Sequence, residues 1–190
     1  MYVGKLVRLR ELRKSDTELA LQYINDPEVR GLLSFDVPFP FTLGDEEKWI
    51  ERQTAHGPDS TYNFAIETLA EKKYIGGCGL NRVDWKNRIA EVGIMIGDKS
   101  FWNRGYGTEA LRLLLKFTFD EMNLRKATLN VAAYNLRAQK SYKKCGFVEE
   151  GRLRQEIFRG GKYYDKVIMG LLREEFEECS HLDTLIPIQE

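Results

Sequence analysis

The alternation of apolar and polar residues predicts several short strands along the chain. Residues 5–12 alternate apolar and charged side chains, as a half-buried strand does. Apolar runs bounded by turn-forming residues predict the other strands. These strands cover residues 62–67, 74–80, 88–96, 126–131, 147–154 and 163–171.

Apolar residues spaced three and four positions apart predict helices between these strands. The first helix ends at Asp26-Pro27, Asn135 caps the last, and Gly146 supplies the left-handed residue that ends it. The helices cover residues 15–24, 42–55, 108–122 and 136–145. Helices that cover a sheet predict an α+β fold with three layers, α/β/α. We expect a single domain over residues 1–172 and a C-terminal extension over residues 173–190.

Composition places the chain among globular proteins and excludes several classes. Hydrophobic residues make up 43% of the chain, and no apolar run approaches the ~20 residues that span a bilayer. The three cysteines are scattered, which favours a reducing, cytoplasmic compartment. The two histidines form no group with metal-ligand spacing and lie near no nucleophile motif, so we expect neither a metal site nor a Ser-His-Asp relay.

Charge is unevenly distributed although the formal net charge is zero. Residues 15–71 contain 12 acids and 3 bases, whereas residues 72–170 contain 20 bases and 10 acids. A net charge of zero argues against a nucleic-acid-binding protein. Two opposite charge distributions on one chain indicate either two unlike ligands, one cationic and one anionic, or ordinary solvated faces.

A glycine-rich segment lies between a predicted strand and a predicted amphipathic helix. It reads Trp-Asn-Arg-Gly-Tyr-Gly-Thr over residues 102–108. Glycines let backbone N–H groups approach an anion closely, and the start of the helix adds unpaired N–H groups and a positive dipole end. Arg104 adds a formal charge. The segment is therefore a candidate pyrophosphate site, although two glycines are also typical of an ordinary strand-to-helix turn.

Two other phosphate-binding motifs fit this segment poorly. A Walker loop needs Gly-Lys-Ser/Thr, and Gly107 is followed by Thr108-Glu109. The segment does fit G-x-G-x-x-A, but in a dinucleotide fold the glycines follow the strand directly and an acid ends the next strand. Here residues 97–104 separate strand and glycines, and the next strand ends without an acid.

Three segments together resemble the core of the GNAT superfamily of N-acetyltransferases. They are the glycine segment, Asn-Leu-Arg-Ala at 135–138 and Ser-Tyr-Lys-Lys-Cys-Gly-Phe at 141–147. Residues 147–154 and 161–165 are similar to the branch that contains ribosomal-protein N-terminal acetyltransferases and spermidine acetyltransferases. The resemblance extends from about Lys5 to Leu172. Trp102 stands where many members have Gln or Arg.

The resemblance implies a fold, a co-substrate and a set of binding residues. It implies a mixed, mostly antiparallel sheet with a splayed strand pair at the acetyl-CoA site. It further implies that acetyl-CoA is the acetyl donor, and that the backbone of Ile94, Met95 and Ile96 binds its thioester and pantetheine. Gly93 and Gly97 bracket this run, as glycines at a bulge do. The implied pyrophosphate contacts are Trp102, Asn103, Arg104, Gly105, Tyr106, Gly107 and Thr108. Further implied contacts are Asn130, Asn135, Ser141 and Lys144.

Two residues are candidates for proton transfer. Tyr142 matches the family tyrosine that points at the sulfur of CoA, so the resemblance implies a general acid; a core tyrosine packed with Ala138 and Cys145 is the alternative. Glu91 is the candidate base, acting through water, and a surface glutamate paired with Arg88 or Lys86 is its alternative. Removing a proton from the amine is necessary because an ammonium has no lone pair.

The acceptor implied by the resemblance is a primary amine that enters over the first helices, where the acidic residues lie. Phe35, Asp36 and Tyr163 are the candidate acceptor residues. A protein N-terminus and a polyamine-like small molecule both fit this side, and a monomer and a homodimer are both open. A non-catalytic acyl-CoA-binding module is the alternative function, although the presence of Tyr142 and Glu91 favours an enzyme.

Overall fold

A computed structural model describes residues 2–33, 36–54 and 62–177 of the chain. These ranges contain eight strands and five α-helices, together with short 3₁₀ and π turns. The strands are β1 (Tyr2–Val3), β2 (Val7–Arg10), β3 (Tyr62–Thr68), β4 (Tyr74–Asp84), β5 (Ile89–Ile96), β6 (Lys126–Ala132), β7 (Val148–Arg159) and β8 (Lys162–Leu172). The helices are α1 (Thr17–Asn25), α2 (Pro27–Leu33), α3 (Leu43–Thr54), α4 (Tyr106–Lys116) and α5 (Leu136–Lys144).

The strands form a mixed, mostly antiparallel sheet in the order β1-β2-β3-β4-β5-β6-β8-β7. Strand β5 pairs with β6 in parallel, whereas β1-β2, β2-β3, β3-β4, β6-β8 and β7-β8 pair antiparallel. The parallel register joins residues 89–91 to residues 126–128, the first three residues of each strand. The predicted α+β class is therefore confirmed.

The described residues divide into two compact units. Unit 1 takes the chain up to Arg82 and the segment Val92–Leu114. Unit 2 takes Val83–Glu91 and the described residues from Leu115 onward. The single domain over residues 1–172 stays a prediction, and so does the boundary of the extension.

The core of unit 1 lies between α1 and the strands of that unit. Ala20 and Tyr23 of α1 are buried together with Leu12, Ala65 and Tyr74, and Met95 of β5 packs against this cluster. The rings of Tyr23 and Tyr74 stack with their centroids 6.0 Å apart. The cluster therefore connects α1 to the predicted thioester strand.

The core of unit 2 is built from β6, β8 and the helical residues that cover them. Phe119 and Phe147 are almost completely buried, as are Val167, Met169 and Leu171 of β8. Residues 173–177 continue as a helical turn after β8. The ring of Phe176 in this turn packs on Phe119 at 5.4 Å. The first residues of the predicted extension thus belong to the packing of unit 2.

The structure corrects the predicted number of helices before β3. Residues 15–55 were expected to contain two helices with Pro27 as a stop signal, but three are present and Pro27 begins α2. The side chain of Asp26 accepts hydrogen bonds from the backbone N–H groups of Glu28 (2.8 Å) and Val29 (3.2 Å). Asp26 therefore caps α2, and proline is well accommodated in a first helical turn, where its missing N–H has no intrahelical partner.

Candidate active site

The glycine segment folds in unit 1 as a tight connection between β5 and α4. A 3₁₀ turn, Lys99–Phe101, comes first, and the side chain of Asp98 caps it by accepting from the N–H of Ser100 at 3.0 Å. The backbone then enters the left-handed region at Asn103 (φ 59°) and at Gly105 (φ 88°). Successive turns of this kind direct backbone N–H groups to one side, which is the geometry of anion-binding loops.

Helix α4 starts directly after Gly105. Its first intrahelical hydrogen bond runs from the N–H of Glu109 to the carbonyl of Gly105, at 3.0 Å. The N–H groups of residues 106–108 precede that bond in the first turn, where a helix has no intrahelical acceptors for them. A Cβ atom on Gly107 would lie 3.3 Å from Cγ1 of Ile96, so glycine allows this turn to pack tightly against the end of β5. The arrangement suits a diphosphate.

Two side chains of the segment, those of Trp102 and Arg104, have different environments. The indole N–H of Trp102 donates to the carbonyl of Ile96 at 2.7 Å, so Trp102 ties the segment to the end of β5. The guanidinium of Arg104 is exposed, lies over the rings of Phe101 and Tyr106, and donates to the carbonyl of Ser100 at 3.1 Å. Arg104 is therefore held at the loop surface with its charge open to solvent.

The predicted thioester strand has side chains of intermediate exposure at Ile94, Met95 and Ile96. A Cβ atom on Gly76 would lie 2.0 Å from the carbonyl oxygen of Met95, which shows how closely β4 approaches β5 there. Because the parallel ladder to β6 ends at Glu91, the peptide groups of the following residues lie outside that ladder. Free peptide groups on this edge are what binding of a thioester carbonyl and a pantetheine requires.

Helix α5 in unit 2 carries the candidate acid. Tyr142 is 8% exposed and its ring lies 6.0 Å from that of Phe147. Burial, with a smaller contribution from Cys145, raises the pKa of Tyr142 to about 12. Within the described part of the chain, its hydroxyl has no hydrogen-bond partner. Tyr142 is thus a protonated donor at neutral pH, and it also packs as a core residue does.

The start of α5 is organised by Asn135. Its side chain is buried and accepts from the N–H of Ala138 at 3.1 Å, which confirms the predicted cap. Ser141 is half-buried, whereas Asn130 on β6 and Lys144 at the end of α5 are exposed. The contacts of these four residues with CoA stay predictions.

Glu91 lies at the end of the parallel ladder in unit 2, opposite Thr128. Its side chain is half-buried, and no ion pair to it is found among the residues that the structure describes. The alternative partner Arg88 instead donates to Asn123, at 2.8 Å from its Nε to the carbonyl oxygen. The pairing of Glu91 with Arg88 is therefore wrong, and its role as base stays a prediction.

The predicted acceptor residues fall in different parts of the chain. Phe35 lies outside the described residues, and Asp36 is exposed in unit 1. Tyr163 is 64% exposed in unit 2, where its ring packs on Phe158 at 4.9 Å. Asp165, beside it on β8, accepts from the N–H of Gln155 at 2.9 Å and so has a structural role.

Sequence reasoning did not separate Glu46 from its acidic neighbours, although its environment differs from theirs. Asp45 accepts from the N–H and hydroxyl of Thr42, which lowers the pKa of Asp45. The hydroxyl of Thr42 in turn accepts from the N–H of Asp45 at 3.3 Å and caps α3. Glu46 is only 8% exposed and has no hydrogen-bond or ion-pair partner within the described residues. Burial raises the pKa of its carboxyl. The sequence could not predict that Glu46 is buried, because four of the residues near it in the sequence are charged.

Neither a metal-binding group nor a membrane-spanning helix is present in the described ranges. They contain no group of three or more His, Cys, Asp or Glu side chains that could hold a metal ion. They also contain no helix long and apolar enough to cross a membrane. The two described cysteines, Cys78 and Cys145, are free and buried.

The fold, the glycine loop and the helix that follows it define an acyl-CoA-dependent transferase. Residues 7–148 match the family described as acetyltransferase (GNAT) domain, so the chain belongs to the GNAT acetyltransferases. It is an acetyl-CoA-dependent enzyme that transfers an acetyl group to an amine.

Relatives of known structure and sequence span nearly the whole chain. A spermidine N(1)-acetyltransferase of Vibrio cholerae is 30% identical over 168 residues, 88% of this chain and 94% of that protein. An uncharacterized N-acetyltransferase of Bacillus licheniformis, p20, is 28% identical over 180 residues, 93% of this chain and 97% of the relative. The crystal structure of the Vibrio cholerae spermidine N-acetyltransferase with CoA and spermine superposes with a TM-score of 0.80 at 27% identity, covering 90% of this chain and 98% of that one.

Proposed function

We propose that the acceptor is a polyamine, a small molecule with several primary or secondary ammonium groups. The observation that carries this proposal is the near full-length similarity to a polyamine acetyltransferase, together with the excess of acids in residues 15–71. A polycation is attracted by an acidic surface through long-range electrostatics. The proposal includes a cytoplasmic location, which two free thiols in the described chain support.

The acids of residues 15–71 in unit 1 include both paired and unpaired carboxylates. Lys99 pairs with Asp26 at 2.8 Å and with Glu28 at 3.1 Å, so these two acids are already compensated. Glu46 lacks such a partner among the described residues. A desolvated carboxylate without a partner gains most from an incoming cation, because the Coulomb interaction is stronger where water is scarce. We therefore assign Glu46 as an ammonium-binding residue.

The proposed reaction is a direct transfer in which C–N and S–H bonds form while C–S and N–H bonds break. Glu91 first takes a proton from the ammonium group through a water molecule, and the neutral nitrogen then attacks the thioester carbonyl. A second N–H proton leaves to water as the amide forms. The N–H groups of Ile94–Ile96 donate to the oxygen as it becomes negative. The C–S bond then breaks, and the hydroxyl of Tyr142 gives its proton to the leaving sulfur. The products are an N-acetylated amine and CoA.

Thiol release from acetyl-CoA tests the acceptor class. The enzyme is incubated with acetyl-CoA and, in separate reactions, spermidine, spermine, and peptides that begin with Ser or Ala. We expect spermidine and spermine to release thiol at least about tenfold faster than the peptides, which corresponds to roughly 1.4 kcal/mol in transition-state free energy. Faster thiol release with the peptides would contradict a polyamine acceptor and indicate that the acceptor is a protein N-terminus.

A further inference from the structure

The carboxylate of Glu109 has an unusual set of partners in unit 1. It accepts hydrogen bonds from three consecutive backbone N–H groups, those of Lys5 (2.8 Å), Leu6 (2.7 Å) and Val7 (2.8 Å). These residues form the turn from β1 into β2, about a hundred positions away in sequence. Three donors on one carboxylate are a charge-assisted arrangement of well above average strength. Glu109 therefore fixes the first turn of α4 to the N-terminal hairpin.

Two close contacts show that the hairpin is shaped to receive this helix. A Cβ atom on Gly4 would lie 2.5 Å from Cδ of Glu109, so only glycine leaves room for the carboxylate. One turn earlier, Leu6 lies beneath the loop, and a Cβ atom on Gly105 would be 3.5 Å from its Cδ1. The turn thus supports the loop at Gly105 and the helix at Glu109.

The position of Glu109 raises an electrostatic problem that these contacts solve. An acid in the first turn of α4 lies directly after the N–H groups that suit a diphosphate. A carboxylate directed at that site would repel the diphosphate. Here three backbone N–H groups of the hairpin donate to the carboxylate and compensate its charge. The helix keeps its positive end for the ligand, and its direction is fixed by the same bonds.

We propose that Glu109 is a positioning residue for the diphosphate of acetyl-CoA, acting through the turn at Lys5–Val7 on the loop at Gly105. The inference rests on the proposed binding of CoA at this loop. It makes the N-terminal hairpin part of the coenzyme site although none of its side chains is assigned to the ligand. A substrate without a diphosphate should not depend on Glu109.

The experiment compares two acetyl thioesters in the Glu109→Gln variant. Acetyl-CoA contains the diphosphate, and S-acetylpantetheine lacks it. We expect the KM for acetyl-CoA to rise about tenfold, or about 1.4 kcal/mol, while kcat/KM for S-acetylpantetheine and the KM for the amine change less than about twofold. Glu121→Gln, an exposed acid near the other end of this helical segment, is the matched control.

Equal losses with both thioesters would show that Glu109 only stabilises the fold, and unchanged kinetics with both would show that it has no role; either result overturns the proposal. If Glu109→Gln does not fold, Leu6→Ala replaces it, with the same selective loss expected. Calorimetry with CoA separates this inference from the proposed function. A parent protein that binds CoA without turnover contradicts acetyl transfer, and the difference in CoA affinity between parent and variant still tests Glu109.

Discussion

At the scale of single residues, the protonation of Tyr142 decides what it can do. Burial favours the neutral phenol, so its hydroxyl carries a proton throughout the neutral range. A phenol with a pKa of about 12 is a weaker acid than a thiol, whose ordinary pKa is about 8.5. Proton donation by Tyr142 is therefore useful only as the C–S bond breaks and charge builds on sulfur. We therefore predict that Tyr142 donates to the sulfur in the transition state.

The Tyr142→Phe variant should lose turnover and keep donor binding. We expect kcat to fall by roughly 10-fold to 1000-fold, in line with general acid catalysis, with the KM for acetyl-CoA nearly unchanged. The parent should show no loss of rate from ionisation of Tyr142 below about pH 11, because its pKa is about 12. Tyr164→Phe, on β8 with its ring against Tyr134, is the control. Full activity of Tyr142→Phe would show that Tyr142 is a core residue and not the acid.

The Glu46→Gln variant should show opposite effects on binding and stability. Because burial raises the pKa of Glu46, folding is opposed by its charge at neutral pH, and the neutral amide relieves this. We expect a gain of roughly 1 kcal/mol in the free energy of unfolding, seen as a higher Tm. The KM of the variant for spermidine should be severalfold higher than that of the parent. In the parent, this KM should also increase at acidic pH, where Glu46 is protonated, and the variant should not show that increase. Glu47→Gln, exposed on α3, is the control. Identical spermidine kinetics in the two variants would show that Glu46 does not bind the acceptor.

At the scale of elements, a buried ion network joins β2, β3 and the start of α1. The guanidinium of Arg10 donates to both carboxylate oxygens of Asp16 at 2.8 Å and to Glu67 at 2.5 Å. All three side chains are almost completely buried. Arg8 is a second partner of Glu67. The network sets the position of α1 on the strands of unit 1, and α1 contributes Tyr23 to the core beneath Met95.

Arg10→Met should destabilise the protein strongly, because the buried carboxylate of Asp16 loses its guanidinium partner and the buried carboxylate of Glu67 keeps only Arg8. We expect a loss of about 3–5 kcal/mol in the free energy of unfolding, measured with urea. Arg13→Met, which breaks only the exposed pair with Glu11, should cost less than about 1 kcal/mol. Equal effects of the two substitutions would contradict the assigned importance of burial.

The same network predicts how stability depends on acid. Burial alone would raise the pKa of Glu67, but the hydrogen bonds and charges of Arg10 and Arg8 outweigh it and lower the pKa below its usual value. Its stabilising contribution is therefore present above the unfolded pKa near ~4.3 and is lost as the pH falls through the folded pKa. Parent protein should lose stability in this acid range, and a flat profile there would contradict the network's role.

At the scale of the whole molecule, periodicity predicts most elements, and side-chain hydrogen bonds explain the exceptions. Pro27 looks like a helix stop because the cap formed by Asp26 is not visible in an apolar pattern. Strand β7 extends beyond the predicted end at Arg154 through an irregular register, where Gln155 has a φ of 54° and its N–H donates to Asp165. Motif spacing predicted that the glycine loop binds the coenzyme. It could not identify Glu109, whose partners lie a hundred residues away.

Calorimetric titration of acetyl-CoA into the parent protein and two glycine variants tests whether the glycine loop binds the coenzyme. Gly105→Val and Gly160→Val both place a branched side chain at positive φ, and nothing lies within 4 Å of a Cβ atom at Gly160. Both should lose about 1–3 kcal/mol of stability from backbone strain. We predict that the parent and Gly160→Val bind acetyl-CoA alike and that Gly105→Val binds at least about tenfold more weakly, or about 1.4 kcal/mol. No heat with the parent, or equal affinity in all three proteins, would contradict binding of acetyl-CoA at the glycine loop.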